Sequence, residues 1–534
     1  MKNKHLITKI LSMALLCTIF VSNCTGCASV EENEDTKTES ELSVVKTAEY
    51  DSGVVNPEGG SCEIIQYNSE TRRYYVVNGT TGTLDIIPRV IDEGKEIKYS
   101  LKDELAKKEA DFKYGDMTSV AVSEKSDLVA VAVQAADLTE NGRVVFMNYN
   151  NEIVSVVEVG VQPDNVIFTD DGLKVLSANE GEPRNGYGAE LDPKGTISII
   201  DIKEGVEAAN VTEVTFECLD SEESRNKLIE EGVIIKKGTK PSDDFEPEYI
   251  AINGNIAYVS LQEANAIAVI DIDEARIISV NSLGYKNHNE EKNALDLASD
   301  GIINIKNEDV YGIYMPDAIS IFEYEGRTFL VTANEGDSRE WGEEDSAGYH
   351  SNEIKTTDIN GEKVTIFDQT EYDGLDSNKT YIFGGRSFSI YEVNTDGTMH
   401  QVFDSGSEFE KVVAEMIPEY FNCSNDDIEL DSRSGKKGPE AEGVVIGDIN
   451  NKKYAFIGIE RIGGVIIYDI TDPENVSYVN YINSRDFTED IAGDVSPEGL
   501  DFVSASESVS GNAELMVAHE VSGTVAIYEL KELN

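Results

Sequence analysis

Cations are scarce in this chain of 534 residues. Its 44 Lys and Arg stand against 102 Asp and Glu, a formal charge of −58. Such a surface repels phosphate backbones, which excludes nucleic acid as a partner. Cysteines are few and badly placed for shared chemistry. Beyond residue 27 only Cys62, Cys218 and Cys423 remain, odd in number and far apart. They offer no CxxC and no zinc spacing, so isolated thiols are expected rather than a disulfide framework or a zinc centre. GxSxG and HExxH are also missing, so no nucleophile elbow or zinc-protease helix organises a reaction. His288, His350 and His400 lie in polar stretches and read as surface residues. The apolar run at residues 11–21 is too short to span a membrane comfortably.

That run follows Lys2, Lys4 and Lys9, which makes residues 1–26 an export signal. Cys27 follows Gly26, a small residue before Cys as in bacterial lipoprotein signals. Cys24 is the alternative lipidation site, though Asn23 precedes it, and an ordinary cleaved signal is the plainer reading. Residues 27–42 are polar, charged and poor in apolar groups, the composition of a disordered tether. Two acyl chains on Cys27 would hold the chain at the membrane, on its outer side. A folded domain is expected over residues 43–534, as a monomer.

What is abundant is short β-branched strands separated by turn residues. They fall into seven units that repeat one internal order. The units begin near residue 54, then with MTSVAVS, NVIFT, YIAIN, AISIFEY, GVVIGDI and LDFVSAS. The seventh runs out of chain before its outer strand. Residues 43–53, SVVKTAEYDSG, resemble the outer strand of the fifth unit, HQVFDSG. The expectation is an all-β, seven-bladed β-propeller of four-stranded antiparallel blades, its last blade closed by this N-terminal strand. Closure protects edges that an open array would expose. A two-sheet sandwich fits the repeat less well. Long insertions are expected at 204–245, where Ser221 can cap a short helix ending near Gly232, and at 284–314 and 336–380.

Acidic residues recur in register with the units. Aligning the residue that leaves each second strand gives Asn78, Gln134, Glu180, Glu263, Glu335, Glu460 and Glu520. Aligning the residue that leads into each first strand gives Asp116, Asp164, Glu248, Asp317, Glu442 and Glu498. Pro163, Pro247, Pro316 and Pro497 directly precede four of these. In a propeller both sets emerge at one mouth of the central channel. Turn chemistry inherited by a repeat explains one set; two sets in register point to a cation or polar-ligand site. Crowded carboxylates raise one another's pKa, and Ca²⁺, which takes six to eight oxygens, relieves that repulsion. The candidate ligands are Asp164, Glu180, Glu248, Glu263, Asp317, Glu335, Glu442, Glu460, Glu498 and Glu520. Arg184, Arg339 and Arg461 follow the trailing acids closely, and Arg386 opens a later strand. These arginines either neutralise the acids or hold an anionic group such as phosphate.

Several of these stretches resemble a known family: ANEGEP at 178–183, EPEYIAI at 246–252, LQEANAIAVIDI at 261–272, MPDAI at 315–319, TANEGDSREW at 332–341, FGGRSFSIYE at 383–392, SPEGLDF at 496–502 and HEVSGTVAIYEL at 519–530. Together they are similar to the bacterial choice-of-anchor I domain family. The resemblance implies an exported or surface-attached protein and a propeller of the YVTN type. Some relatives are loosely termed phosphatase- or phytase-like, and phytase-like propellers bind Ca²⁺ through acids at the channel mouth. Asn78 and Gln134 depart from an all-acid ring, which puts ligation by the first two units in doubt.

Two functions are compatible with these residues. One is a membrane-anchored ligand-binding or surface scaffold module stiffened by Ca²⁺, its ligand a small molecule, phosphoester or surface group. The other is a metal-dependent phosphoester hydrolase. There the metal would polarise a phosphoryl oxygen, and Arg339 and Arg386 would contact phosphate.

Overall fold

The computed structural model describes residues 42–533 except 91–93, 188–191, 340, 346–347 and 351–352. Cys24 and Cys27 lie outside the described residues, as does the export signal. The fold is all-β, built mainly from seven four-stranded antiparallel sheets. Their first strands are Ile65–Asn68, Tyr114–Ser123, Pro163–Phe168, Pro247–Asn253, Ile319–Tyr324, Ala441–Ile449 and Pro497–Val503. We number the sheets one to seven in that order. In sheets one to six the remaining three strands follow in chain order. Sheet one ends on Ile97–Ser100, beyond the strands expected for the first unit. Sheet seven takes its outer strand from the start of the described chain: Leu42–Asp51 pairs antiparallel with Thr524–Glu532.

Second and third strands are apolar along most of their length, as in Leu128–Ala135 and Ala266–Asp271, because both of their faces are covered. Fourth strands such as Asn210–Thr215 carry polar, exposed residues. The core is divided accordingly. Seven buried apolar clusters each lie between two neighbouring sheets. One of them, with Ile65, Tyr74, Met516 and Ile527, joins sheet seven to sheet one. First strands of consecutive sheets touch, and Ile65–Asn68 of sheet one also touches Pro497–Val503 of sheet seven.

The insertions meet one another. The helix Glu222–Glu231 is capped by the Ser221 side chain and ends on Gly232 at φ 93°. Beyond it, Ile235–Lys236 pairs with Tyr372–Asp373. Tyr285–Asn287, Tyr311–Ile313 and Tyr381–Phe383 form a small sheet over two further apolar clusters. His288, expected at the surface, is buried there. Its Nδ1 meets the Asn293 carbonyl at 2.7 Å, and desolvation lowers its pKa to about 3. A further excursion, 405–440, carries the helix Glu408–Met416. The described Cys62, Cys218 and Cys423 are free thiols.

Candidate cation site

The leading acids are placed by a repeated irregularity of the backbone. In sheets two, three, four, six and seven the first strand starts with a register shift. In sheet three, Pro163 pairs with Asn179, but the next pair is Val166 with Ser177. Asp164, Glu248, Glu442 and Glu498 fall inside these bulges. A bulge takes a residue out of the ladder and re-aims its side chain. Two residues earlier, Gln162, Glu440 and Ser496 have φ of 52°, 55° and 65°, uncommon for side chains with a Cβ. Their carbonyls accept the backbone N–H of Glu180, Glu460 and Glu520 at 2.9, 2.9 and 3.0 Å. Leading and trailing acids of one sheet are thus tied together by the main chain.

The resulting side chains gather in three groups. Glu335, Glu442 and Glu460 each offer a carboxylate oxygen, and these lie within 4.8 Å of one another. Glu335 trails the second strand of sheet five, Glu442 leads into sheet six and Glu460 trails its second strand. Glu442 is 9% exposed, and its buried Oε2 has no hydrogen-bond partner. Separately, Glu63, Asp164, Asp317 and Glu498 line a narrow cavity of about 90 Å³. Glu180, Glu248 and Glu263 neighbour one another, and each adds to the charge crowding of the group. Glu520 accepts from Ser496 Oγ at 2.8 Å.

Desolvation is the main reason these acids hold protons tightly, and mutual repulsion adds to it. Both push Glu63, Glu180, Glu248, Asp317, Glu442 and Glu498 well above the usual carboxylate range. Burial lifts Asp164 to about 6. Glu263 and Glu460 rise to about 8 despite the opposing pull of Arg339 and Arg461.

Two internal cations, Lys437 and Arg461, enter the cluster. Lys437 Nζ lies 2.9 Å from Glu335 Oε1, 3.1 Å from Glu440 Oε2 and 3.3 Å from Asp337 Oδ1. Gln262 Nε2 donates to the other Glu335 oxygen at 2.8 Å. Asn425 Nδ2 and Arg461 reach Glu460 Oε1 at 3.2 and 2.9 Å. Arg433, Lys437 and Arg461 surround Glu440 and hold its pKa below the ordinary value against the effect of burial.

The four arginines singled out in the sequence have different settings. Arg339 is fully buried and meets Glu353, Asp244 and Glu246 at 2.7, 3.3 and 3.4 Å. Arg386 is buried against Glu410 at 2.7 Å and donates to the carbonyls of Asp296, Ser434 and Lys436. Arg461 pairs with Glu440 and Glu460, and Arg184 with Glu182. Arg339 and Arg386 therefore direct their guanidinium groups into the protein interior.

Sequence reasoning missed Glu63, Lys437, Gln262 and Asn425. Glu63 had a signal: it precedes Asn78 by the same spacing that separates Glu248 from Glu263. No proline marks it, and Cys62 stands where proline precedes several other leading acids. Lys437 and Asn425 come from the 405–440 excursion, which has no counterpart in the repeat.

The choice-of-anchor I domain model matches residues 63–473, from the first leading acid to just past the third strand of sheet six. The chain belongs to the choice-of-anchor I domain family. Within the wider set of similar proteins, the mesenchyme-specific cell surface glycoprotein of Strongylocentrotus purpuratus is 28% identical over 275 residues. That match covers 43% of this chain and 35% of the relative. Gigasin-3a of Magallana gigas is 27% identical over 171 residues, 29% of this chain and 59% of that protein. The chain thus spans only part of each curated relative. Among solved structures, the Myceliophteria thermophila Cps50 (Swd1) β-propeller domain aligns with a TM-score of 0.46 and 9% identity, covering 91% of this chain and 99% of that one. Kuenenia stuttgartiensis hydrazine synthase aligns with a TM-score of 0.44 and 11% identity over 90% and 98%. Among the described residues no helix is long and apolar enough to cross a membrane.

Proposed function

We propose that this choice-of-anchor I protein is a closed seven-bladed β-propeller, exported and lipid-anchored through Cys27, that works as a Ca²⁺-binding ligand or scaffold module outside the membrane. The ring is supported by the apolar cluster between sheets seven and one and by the pairing of Leu42–Asp51 with Thr524–Glu532. The surface assignment draws on the family and on the Strongylocentrotus purpuratus relative, a cell surface glycoprotein. Residues 1–26 serve as the signal and 27–42 as the tether. Replacing Cys27 by Ala abolishes incorporation of a labelled fatty acid; continued labelling in that variant transfers the role to Cys24.

The cation reading is carried by one observation: three carboxylates from two sheets converge, and one of them keeps a buried oxygen without a partner. Oxygen ligands of that charge and number suit Ca²⁺, with water and neighbouring oxygens completing its shell. The hydrolase alternative is weaker, because Arg339 and Arg386, the residues assigned to phosphate, already face internal acids. The test is thermal unfolding of the full chain in EDTA and in millimolar CaCl₂. Ca²⁺ raises Tm by several degrees, and Glu442→Gln removes that gain. An unchanged Tm with and without Ca²⁺ overturns the site.

A further inference from the structure

A cleft of about 500 Å³ opens between sheets four and five, away from the acids. The strand Ile256–Leu261 borders it with Ile256 and Tyr258, whereas Glu263 follows the other end of that strand. The volume falls within the range of small-molecule sites, roughly 300–1,000 Å³. Ile256, Val269, Ile278 and Val393 give the cleft its apolar lining.

Tyr258 gives it a chemistry. The ring packs between the two sheets with Leu283, Leu330 and Tyr391, and the residue is 4% exposed. A buried tyrosine hydroxyl ordinarily finds a hydrogen-bond partner. This one makes no hydrogen bond to a described residue, yet it is not among the polar atoms closed off from solvent. It is therefore the tip of Tyr258 that opens on the cleft. Burial alone pushes its pKa up to about 12, with no charged group contributing.

The charges along the cleft are already engaged. Arg327, the one cation lining it, lies 3.1 Å from Glu392 and 3.3 Å from Glu474. Glu323, exposed at the edge, accepts from Asn253 Nδ2 at 3.2 Å. A phosphate or sulfate group would find no unpaired positive charge here. The wall from sheet five is also fixed in place. Ser279 Oγ and Asn281 Nδ2 of sheet four donate to the Gly397 carbonyl at 2.8 and 2.9 Å. Gly397 has φ of 83°, and a Cβ there would lie 2.8 Å from Ile278 Cγ2. The cleft is thus preformed, which lowers the ordering cost of binding.

We infer that this cleft binds a neutral saccharide, one sugar ring lying on the apolar lining with a hydroxyl on Tyr258. A sugar ring has an apolar C–H face and a rim of groups that both donate and accept. The cleft offers the same pairing: aliphatic side chains within, and a free hydroxyl, amides and Thr328 around them. The site is independent of the acidic cluster and needs no metal.

The experiment is binding of the fluorescently labelled full chain to an array of neutral, sialylated, sulfated and amine-bearing glycans, with and without EDTA. Circular dichroism establishes folding of each variant. Neutral glycans bind, EDTA changes nothing, and Glu442→Gln binds as wild type does. Tyr258→Phe removes only the hydroxyl and weakens binding about three- to tenfold, the worth of one neutral hydrogen bond. Thr395→Trp, on the exposed turn at the edge of the cleft, blocks the site without entering the core and abolishes binding, which keeps the test open should Tyr258→Phe fail to fold. An array without a bound neutral glycan overturns the inference. So does preference for sialylated, sulfated or amine-bearing glycans, binding lost in EDTA, or binding that the folded cleft variants leave unchanged.

Discussion

Lys437 and Arg339 show how a single cation can have opposite value in an acidic protein. Arg339 is enclosed by Asp244, Glu246 and Glu353. Breaking a buried ion cluster by removing one sign costs about 3–5 kcal/mol, because the remaining charges lose their partner. Arg339→Met is expected to lose that much stability in urea unfolding, with Ca²⁺ affinity little changed. A loss below about 1 kcal/mol would leave Arg339 free for the anion-binding role that its sequence position suggests. Lys437 instead sits on Glu335, a member of the proposed cation cluster, as a tethered positive charge. A contact to a charged group contributes about 1.5 kcal/mol or more, and a Ca²⁺ ion must displace it. Lys437→Met should therefore bind Ca²⁺ about tenfold more tightly or better, while its Tm in EDTA falls. Weaker Ca²⁺ binding in that variant would make Lys437 an organiser of the cluster rather than its competitor. Neither setting is legible from the chain alone. Both cations meet acids that sequence places far away or on insertions, and nothing periodic links Arg339 to Asp244 or Lys437 to Glu335.

At the scale of the strand, the bulge with its following glycine is the device that matters. Gly443 and Gly499 follow Glu442 and Glu498. A Cβ on Gly499 would lie 2.4 Å from the Glu63 carbonyl oxygen, and one on Gly443 2.3 Å from that of Glu498. The Gly499 N–H donates to the same Glu63 carbonyl at 2.8 Å, across from sheet seven to sheet one. Glycine is required here by close approach of backbone, not by a left-handed turn. Gly499→Ala must push two first strands apart, so it should cost about 1–3 kcal/mol. Stability within a few tenths of wild type would mean that the strands yield freely. Most strands and their order were legible because short apolar runs and turn residues repeat, and because proline marks four leading acids; the outer strand of sheet one, Ile97–Ser100, was not. The bulges were not, since a register shift changes pairing without changing composition. The pairing of Ile235–Lys236 with Tyr372–Asp373 was equally hidden, two residues being too short to show a period.

Over the whole molecule the 102 Asp and Glu divide into two populations with different pH behaviour. Exposed Asp and Glu are ionised throughout pH 6–8.5, so their repulsion is constant across that window. The buried acids are not. Glu263 and Glu460 titrate near 8 and Asp164 near 6 in the folded chain, above their ordinary values. Between about pH 4 and 8 the folded protein therefore holds protons that the unfolded chain has released. Stability must then fall as pH rises through this range, and it is greatest below the unfolded carboxylate pKa as far as these groups are concerned. Glu440 has the opposite sign: its pKa is depressed, so its contribution is already in place at neutral pH and is lost only in acid. It cannot offset the decline between pH 6 and 8.5. In EDTA the Tm is thus expected to drop by several degrees from pH 6 to pH 8.5. At the proposed site calcium would replace the released protons as the positive partner of the cluster, so its stabilisation is expected to grow with pH and the two Tm curves to diverge toward pH 8.5. Sodium chloride reproduces little of this effect, because buried charges are poorly screened. Glu460→Gln removes one of the late-titrating groups and flattens the EDTA curve. A Tm in EDTA that is level from pH 6 to pH 8.5 would mean that the buried acids are already neutralised by protein groups, and that the ring needs no ion.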